Sequence, residues 1–250
     1  MATASKQEED LFVIIDDVSP EAYEKILAAL GEHRLRHRDE AGTLEMPCLL
    51  QGVSWEQYEA LLDALGDHYL RHTYDRGTLE IMSPSRDHEW IKKFIGRMIE
   101  TMAYELNIPI QSVGSTTQRR KPAKRGLQPD ESYYVAHEYL VRGRRKLDPK
   151  TDPPPDLVVE VDVTSSSLKR MPVYAALGVP EVWRHDLRQL TFNKLGKTGA
   201  YQPIRRSLAF PFLRPEDVAR FVDQLTEKDE NAILREFVVL ANVLAAKRQP

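Results

Sequence analysis

A chain of 250 residues, 42% apolar and 29% charged, is long enough for a full core as one large domain or as one domain plus an appendage, and has the balance of a soluble globular protein. No run approaches the ~18 apolar residues of a membrane span, and the N-terminus, MATASKQEEDLF, lacks the basic and apolar regions of a signal peptide, so a cytoplasmic protein without a membrane partner is expected. The net charge of -3 excludes a bulk polycation and leaves any nucleic-acid contact to local patches, while the single Cys48 excludes an internal disulfide and a cysteine-rich zinc site.

The first feature along the chain is an internal repeat. Val18 to Met46 (VSPEAYEKILAALGEHRLRHRDEAGTLEM) aligns with Val53 to Ile81 (VSWEQYEALLDALGDHYLRHTYDRGTLEI) at a constant offset of 35 residues. Each copy predicts a helix capped by Ser19 or Ser54 and stopped at Gly31 or Gly66, then a hairpin turning at Gly42 or Gly77. Two copies are too few for a solenoid. Only the second copy runs on through a Ser83-Pro84 turn into a long helix, so Glu80 is read as functional and its counterpart Glu45 as a relic or a packing residue.

From His88 to about Asn107, Ile91, Phe94, Ile95, Met98, Ile99, Met102 and Leu106 recur at helical spacing with charged residues between them, the pattern of a core-facing helix. His88 and Glu89 fall in its first turn, where a capping role and a catalytic role are both open. Ile108 to Thr117 reads as a strand. Gln118 to Gly126 (QRRKPAKRG) reads as a loop carrying Arg119, Arg120, Lys121, Lys124 and Arg125, either solvated surface or a rim that grips phosphates. Pro129 fits the start of a strand and places Asp130 there. A short helix over His137 to Arg145, ending in the basic run Arg142 to Lys146 with Arg144 and Arg145, precedes a proline-rich connection.

Leu157 to Val163 has the β-branched composition of a strand buried on both faces, yet it contains Glu160 and Asp162. Side chains two apart share a face, about 6 to 7 Å from each other. Such carboxylates are paired with cations, protonated, or bound to a metal. A polar loop over Thr164 to Ser167, Lys169, Arg170 and a short helix ending at Gly178 follow, then three antiparallel strands over Val179 to Arg205. Pro215 to Leu225 predicts a helix, and Thr226 with Asp229 predicts the cap of a last helix through Ala246. The apolar stripe of that helix (Ile233, Phe237, Leu240, Leu244) suits packing within the chain or a homodimer contact.

The order helix, strand, Pro-Asp strand, acidic strand, short helix, strand, with the motifs GTLEIMSP, QPDESYY, PPDLVVEVDVTSSS and YAALGVPEVWR, resembles the Uma-two family of restriction endonuclease-like proteins, over about Val53 to Phe212. The resemblance implies an α/β (α+β mixed sheet) fold with a PD-(D/E)XK nuclease core, helix-strand-strand-strand-helix-strand. It divides the chain into an N-terminal helix-hairpin unit (1–48), a nuclease domain (49–214) and a C-terminal helical segment (215–250). It also implies DNA as substrate and Mg²⁺ or Mn²⁺ as cofactor, with no organic cofactor. By the same resemblance Asp130 and Glu160 match the metal ligands and Glu80 a further acid of the site. The lysine of the pattern is replaced by Asp162, so Lys169 or Arg170 stands in, and His88 supports the site as an outer partner or proton shuttle. The alternative is a nuclease-fold protein without cleavage that binds nucleic acid or protein.

Overall fold

The computed structural model describes residues 12–15, 18–30, 36–38, 43–66, 70–82, 85–148, 151–162 and 168–247. The expected stops and turns at Gly31, Gly42, Ser83-Pro84 and Thr164 to Ser167 lie outside the described residues. The chain forms two compact units, Met1–Ser83 and Pro84–Pro250.

The first unit is the duplication made visible. Strand β1 (Phe12–Ile15), helix α1 (Pro20–Leu30), β2 (Arg36–Arg38) and β3 (Thr43–Pro47) are followed by β4 (Leu49–Gln51), α2 (Trp55–Leu65), β5 (Arg71–Asp75) and β6 (Thr78–Met82). The two helices keep the 35-residue offset at both ends, as do β3 and β6. The copies also share a leading strand the sequence comparison did not include: β1 pairs antiparallel with β3 as β4 does with β6. Each helix starts at its serine. Ser19 Oγ accepts from Ala22 N (3.1 Å), and Ser54 with Gln57 forms a reciprocal capping box. Both copies bury their apolar faces in one common core that includes Ile26, Leu30, Leu44, Tyr58, Leu61 and Tyr74, so neither copy needs to be stable alone.

The second unit begins with α3 (Arg86–Glu105), capped by Ser85, whose Oγ accepts from His88 N (3.3 Å). Then come β7 (Gln111–Ser112), β8 (Gln118–Arg120), β9 (Arg125–Leu127), β10 (Glu131–Tyr134), α4 (Glu138–Val141), β11 (Leu157–Val161), α5 (Arg170–Leu177), β12 (Glu181–His185), β13 (Leu190–Leu195), β14 (Tyr201–Ile204), α6 (Pro215–Val222) and α7 (Glu230–Ala246). A mixed six-stranded sheet runs in the order β14-β13-β12-β11-β10-β7, with β11 and β12 parallel and the other neighbours antiparallel. The fold is thus α/β with a mixed sheet.

Period-2 alternation in β11 decides what lies on each side. Leu157, Val159 and Val161 enter the large core with α3, α6 and α7, whereas Val158 enters a smaller one with Leu127, Val173 and Tyr174. Glu160, in phase with Val158, therefore faces α5. Gly96 permits close approach on the α3 side, since a Cβ there would meet the Tyr133 hydroxyl at 3.0 Å. The stripe on α7 is settled as packing: Ile233 and Phe237 are buried in the large core, and Leu240 and Leu244 lie against it. No helix among the described residues is long and apolar enough to cross a membrane.

Three local expectations are corrected. Gln118 to Gly126 is not a loop but the β8–β9 hairpin, with Arg119 opposite Gly126 and Arg120 opposite Arg125; Lys124, at φ 47°, takes the left-handed position of its turn. Ile108 to Thr117 keeps only the two-residue strand β7. The last helix is capped by Asp229, which accepts from Asn231 N and Ala232 N, while Thr226 ends a 3₁₀ turn after α6.

One buried carboxylate holds the sheet to the chain beyond it. Glu181 accepts from Trp183 Nε1 (2.8 Å), Ser207 Oγ (3.1 Å), Leu208 N (3.0 Å) and Ala209 N (2.9 Å). Glu181→Ala leaves these donors without their acceptor and should destabilise the protein by about 3 kcal/mol, a fall in melting temperature of about 6–12 °C in a thermal melt.

Candidate functional site

β10 and β11 bring together two acidic residues thirty positions apart in the chain. Glu131 lies opposite Val159, which sets Asp130, just before β10, beside Glu160. Both are buried, with Asp130 fully inaccessible and Glu160 at 2% exposure. Asp130 Oδ2 accepts from Val161 N (2.7 Å), so the side chain extends the ladder where β10 begins. The same oxygen meets His88 Nε2 (3.0 Å) from the first turn of α3, and His88 Nδ1 meets Glu89 Oε1 (3.2 Å). The α3 N-cap thus places an imidazole between two carboxylates.

Glu160 is held from the other side by α5. Arg170 donates to it twice, Nε to Oε2 at 2.8 Å and Nη2 to Oε1 at 2.9 Å, and Tyr174 donates its hydroxyl to Oε1. Arg170 Nη2 also reaches the Gln128 carbonyl. Arg170 and Tyr174 are one helical turn apart and so share a face. Burial opposes the charge on Arg170, but the Glu160 carboxylate beside it outweighs that and raises its pKa well above the usual value, keeping the guanidinium ionised. Burial, with the Glu160 charge second, pushes the Tyr174 phenol far up, so it stays a donor.

Of the two basic candidates, Arg170 is buried and touches Glu160, whereas Lys169 is exposed. Asp162 lies past the end of β11 and pairs with Arg184 Nε (2.6 Å). Both acids of the VEVD segment are therefore cation-paired. Glu80 sits in the first unit on β6, opposite Leu49 and Thr73, and is buried. Among residues that sequence reasoning did not assign, Tyr174 was legible as the i+4 neighbour of Arg170, and Gln128, which acts through its carbonyl, gave no signal. Asp156 accepts from Val135 N, His137 N and His137 Nδ1, which anchors the end of β10 to the start of β11.

Two buried carboxylates at neighbouring positions of adjacent strands suit a hard divalent cation in kind, since Mg²⁺ commonly takes one or two carboxylates and keeps its waters. Among the described residues no group of three His, Cys, Asp or Glu is placed to hold a metal. Asp130 and Glu160 fit as a two-carboxylate site in which Glu160 is shared with Arg170.

The two basic stretches also meet. A cleft of about 620 Å³ is lined by Arg119 and Arg120 of β8 and by Arg144, Arg145 and Lys146 after α4. Lys121, Lys124 and Arg125 do not line it.

The Uma2 family, described as "Putative restriction endonuclease", matches residues 55–226. A solved structure, a "putative nuclease belonging to DUF820" from Anabaena variabilis ATCC 29413, is similar over 60% of this chain and 90% of its own, at 13% identity and a TM-score of 0.42. Comparison with the curated proteins gave no match. The match spans α2 to the end of the 3₁₀ turn after α6, more than half of the sequence, and the chain belongs to the Uma2 family.

Proposed function

We propose that the protein hydrolyses DNA phosphodiester bonds at the Asp130 and Glu160 carboxylates, with Mg²⁺ or Mn²⁺ as cofactor. The observation that carries this reading is the meeting of these two acids at neighbouring strand positions beside a fixed guanidinium. Hydrolysis requires water to attack phosphorus, one P–O ester bond to break, and the added charge on the phosphoryl oxygens to be neutralised. The divalent ion, when bound, supplies that neutralisation and acidifies water.

The chain's own residues do the rest. Asp130 and Glu160 hold the ion, and His88 and Val161 N fix the Asp130 carboxylate. Arg170 cannot act as a base because it stays charged; it balances Glu160 and adds positive charge for the phosphoryl group. Lys169, exposed at the start of α5, is placed to meet an incoming phosphate. Glu80 enters this reading only through the family resemblance. Arg119, Arg120, Lys121, Lys124, Arg125, Arg144 and Arg145 grip the DNA backbone. One chain supplies one such site, so a double-strand cut takes two chains or two successive nicks.

A second reading has its own observation. The Arg170 and Tyr174 bonds occupy both Glu160 oxygens, which favours a nuclease-fold protein that binds nucleic acid without cutting it. Incubation of supercoiled plasmid and single-stranded DNA with the protein and Mg²⁺ or Mn²⁺ separates the two. Nicking or shortening that EDTA stops is the expected result; retention of intact DNA, with or without metal, overturns the hydrolase and leaves the binding protein.

A further inference from the structure

The cleft of about 620 Å³ has features that a solvated basic face lacks. Its cations come from segments some 25 positions apart, β8 and the turn that follows α4, where Gly143 takes φ 74° and sends Arg144 to Lys146 over the cleft. Arg144 is paired with Asp152. Arg119, Arg120, Arg145 and Lys146 have no carboxylate partner among the described residues. The same cleft also has an apolar lining that includes Val113, Pro153, Pro154 and Leu177. Its position is fixed from below, because the buried Tyr134 donates its hydroxyl to the Pro153 carbonyl at 2.9 Å.

Size and chemistry together select the ligand. Unpaired guanidinium and ammonium groups call for phosphates, and the apolar part of the lining calls for a flat unpaired base. A single strand offers both at once, whereas a duplex keeps its bases stacked inside. A cleft in the ~300–1,000 Å³ range takes one small ligand, which suits one or two nucleotides and not a double helix.

The cleft is also separate from the carboxylates while sharing their elements. From Asp130, just before β10, to Tyr134 at its end the chain runs about 13 Å. α5 runs from Arg170, on Glu160, to Leu177, on the cleft wall, about 10 Å.

We infer that this cleft binds the backbone and bases of a single-stranded segment, so that the preferred substrate is DNA with an unpaired stretch and not an intact duplex. The inference rests on the DNA reading above for its ligand class, but its test needs no cleavage. Fluorescence anisotropy in EDTA would compare a labelled single strand of about 12 nucleotides, within the usual site size, with a blunt duplex of the same sequence and with that duplex carrying an overhang. The single strand and the overhang should bind at least ~10-fold more tightly than the blunt duplex. An Arg119→Ala, Arg145→Ala double variant, with its melting temperature checked, should lose this preference and lower the salt slope by about 1.4, that is ~0.7 for each phosphate contact removed. Equal or tighter binding of the blunt duplex, an unaffected double variant, or no binding of the single strand would each overturn the inference. Binding with this preference, together with no cleavage in the Mg²⁺ or Mn²⁺ incubation above, would sink the hydrolase and leave the cleft standing; cleavage there without the preference here would do the reverse.

Discussion

Replacing Arg170 with methionine is expected to lower the melting temperature by about 10 °C, the equivalent of about 3–5 kcal/mol. The reason is geometric. Arg170 provides two of the hydrogen bonds that Glu160 accepts and the cation that faces it, and both side chains are almost fully buried, at 5% and 2% exposure. Without the guanidinium, the carboxylate keeps Tyr174 as a donor but has lost its facing counter-charge. The part of its desolvation that Arg170 offset is then no longer offset by that cation. A double variant, Arg170→Met with Glu160→Gln, removes both charges and should recover most of the loss, because a buried pair contributes far less than the penalty for breaking half of it. Thermal melts of the two variants check this; a double variant no more stable than Arg170→Met would show that the pair is not the cause.

Asp130→Asn is expected to lower the cleavage rate by about 10³-fold, or about 4 kcal/mol in the barrier, while leaving the fold intact. The amide oxygen can still accept from His88 Nε2 and Val161 N, two hydrogen bonds that Asp130 Oδ2 makes among the described residues, so strand pairing and the α3 contact persist. What disappears is one of the two carboxylate charges that the proposed site offers a metal. A neutral amide is a much poorer partner for a divalent ion than a carboxylate, and the other acid, Glu160, is already shared with Arg170. The measurement is a single-turnover cleavage rate beside a melting curve. Unchanged cleavage with an unchanged melt would move the chemistry away from Asp130.

How much of this was legible depends on which forces leave a local trace. The duplication follows from self-alignment at a fixed offset, α3 from an apolar stripe at helical spacing, and β11 from a β-branched apolar run, because burial leaves each of these in the sequence. The β8–β9 hairpin left no such trace. Its strands read QRR and RGL, and five cations in nine residues look like loop to any rule based on apolar alternation. Thr226 and Asp229 were both acceptable caps, and only the 3₁₀ turn that takes up Thr226 gives the position to Asp229.

The site divides in the same way. Asp130 and Glu160 could be named as acids in a buried setting, since a carboxylate within an apolar strand demands a partner. Which cation would answer could not, because Lys169 and Arg170 are adjacent and helix phase at α5 decides between them. The cleft was out of reach from sequence: each basic stretch alone is consistent with solvated surface, and only the fold brings Arg144 to Lys146 into one cleft with Arg119 and Arg120.

The decisive measurement is digestion of single-stranded DNA in ¹⁸O-labelled water with Mg²⁺ or Mn²⁺, followed by mass spectrometry of the new terminal phosphate. Hydrolysis at Asp130 and Glu160 predicts one ¹⁸O atom in that phosphate for the wild type and almost no product from Asp130→Asn. Intact DNA, or labelled product formed at the same rate by the variant, would contradict it.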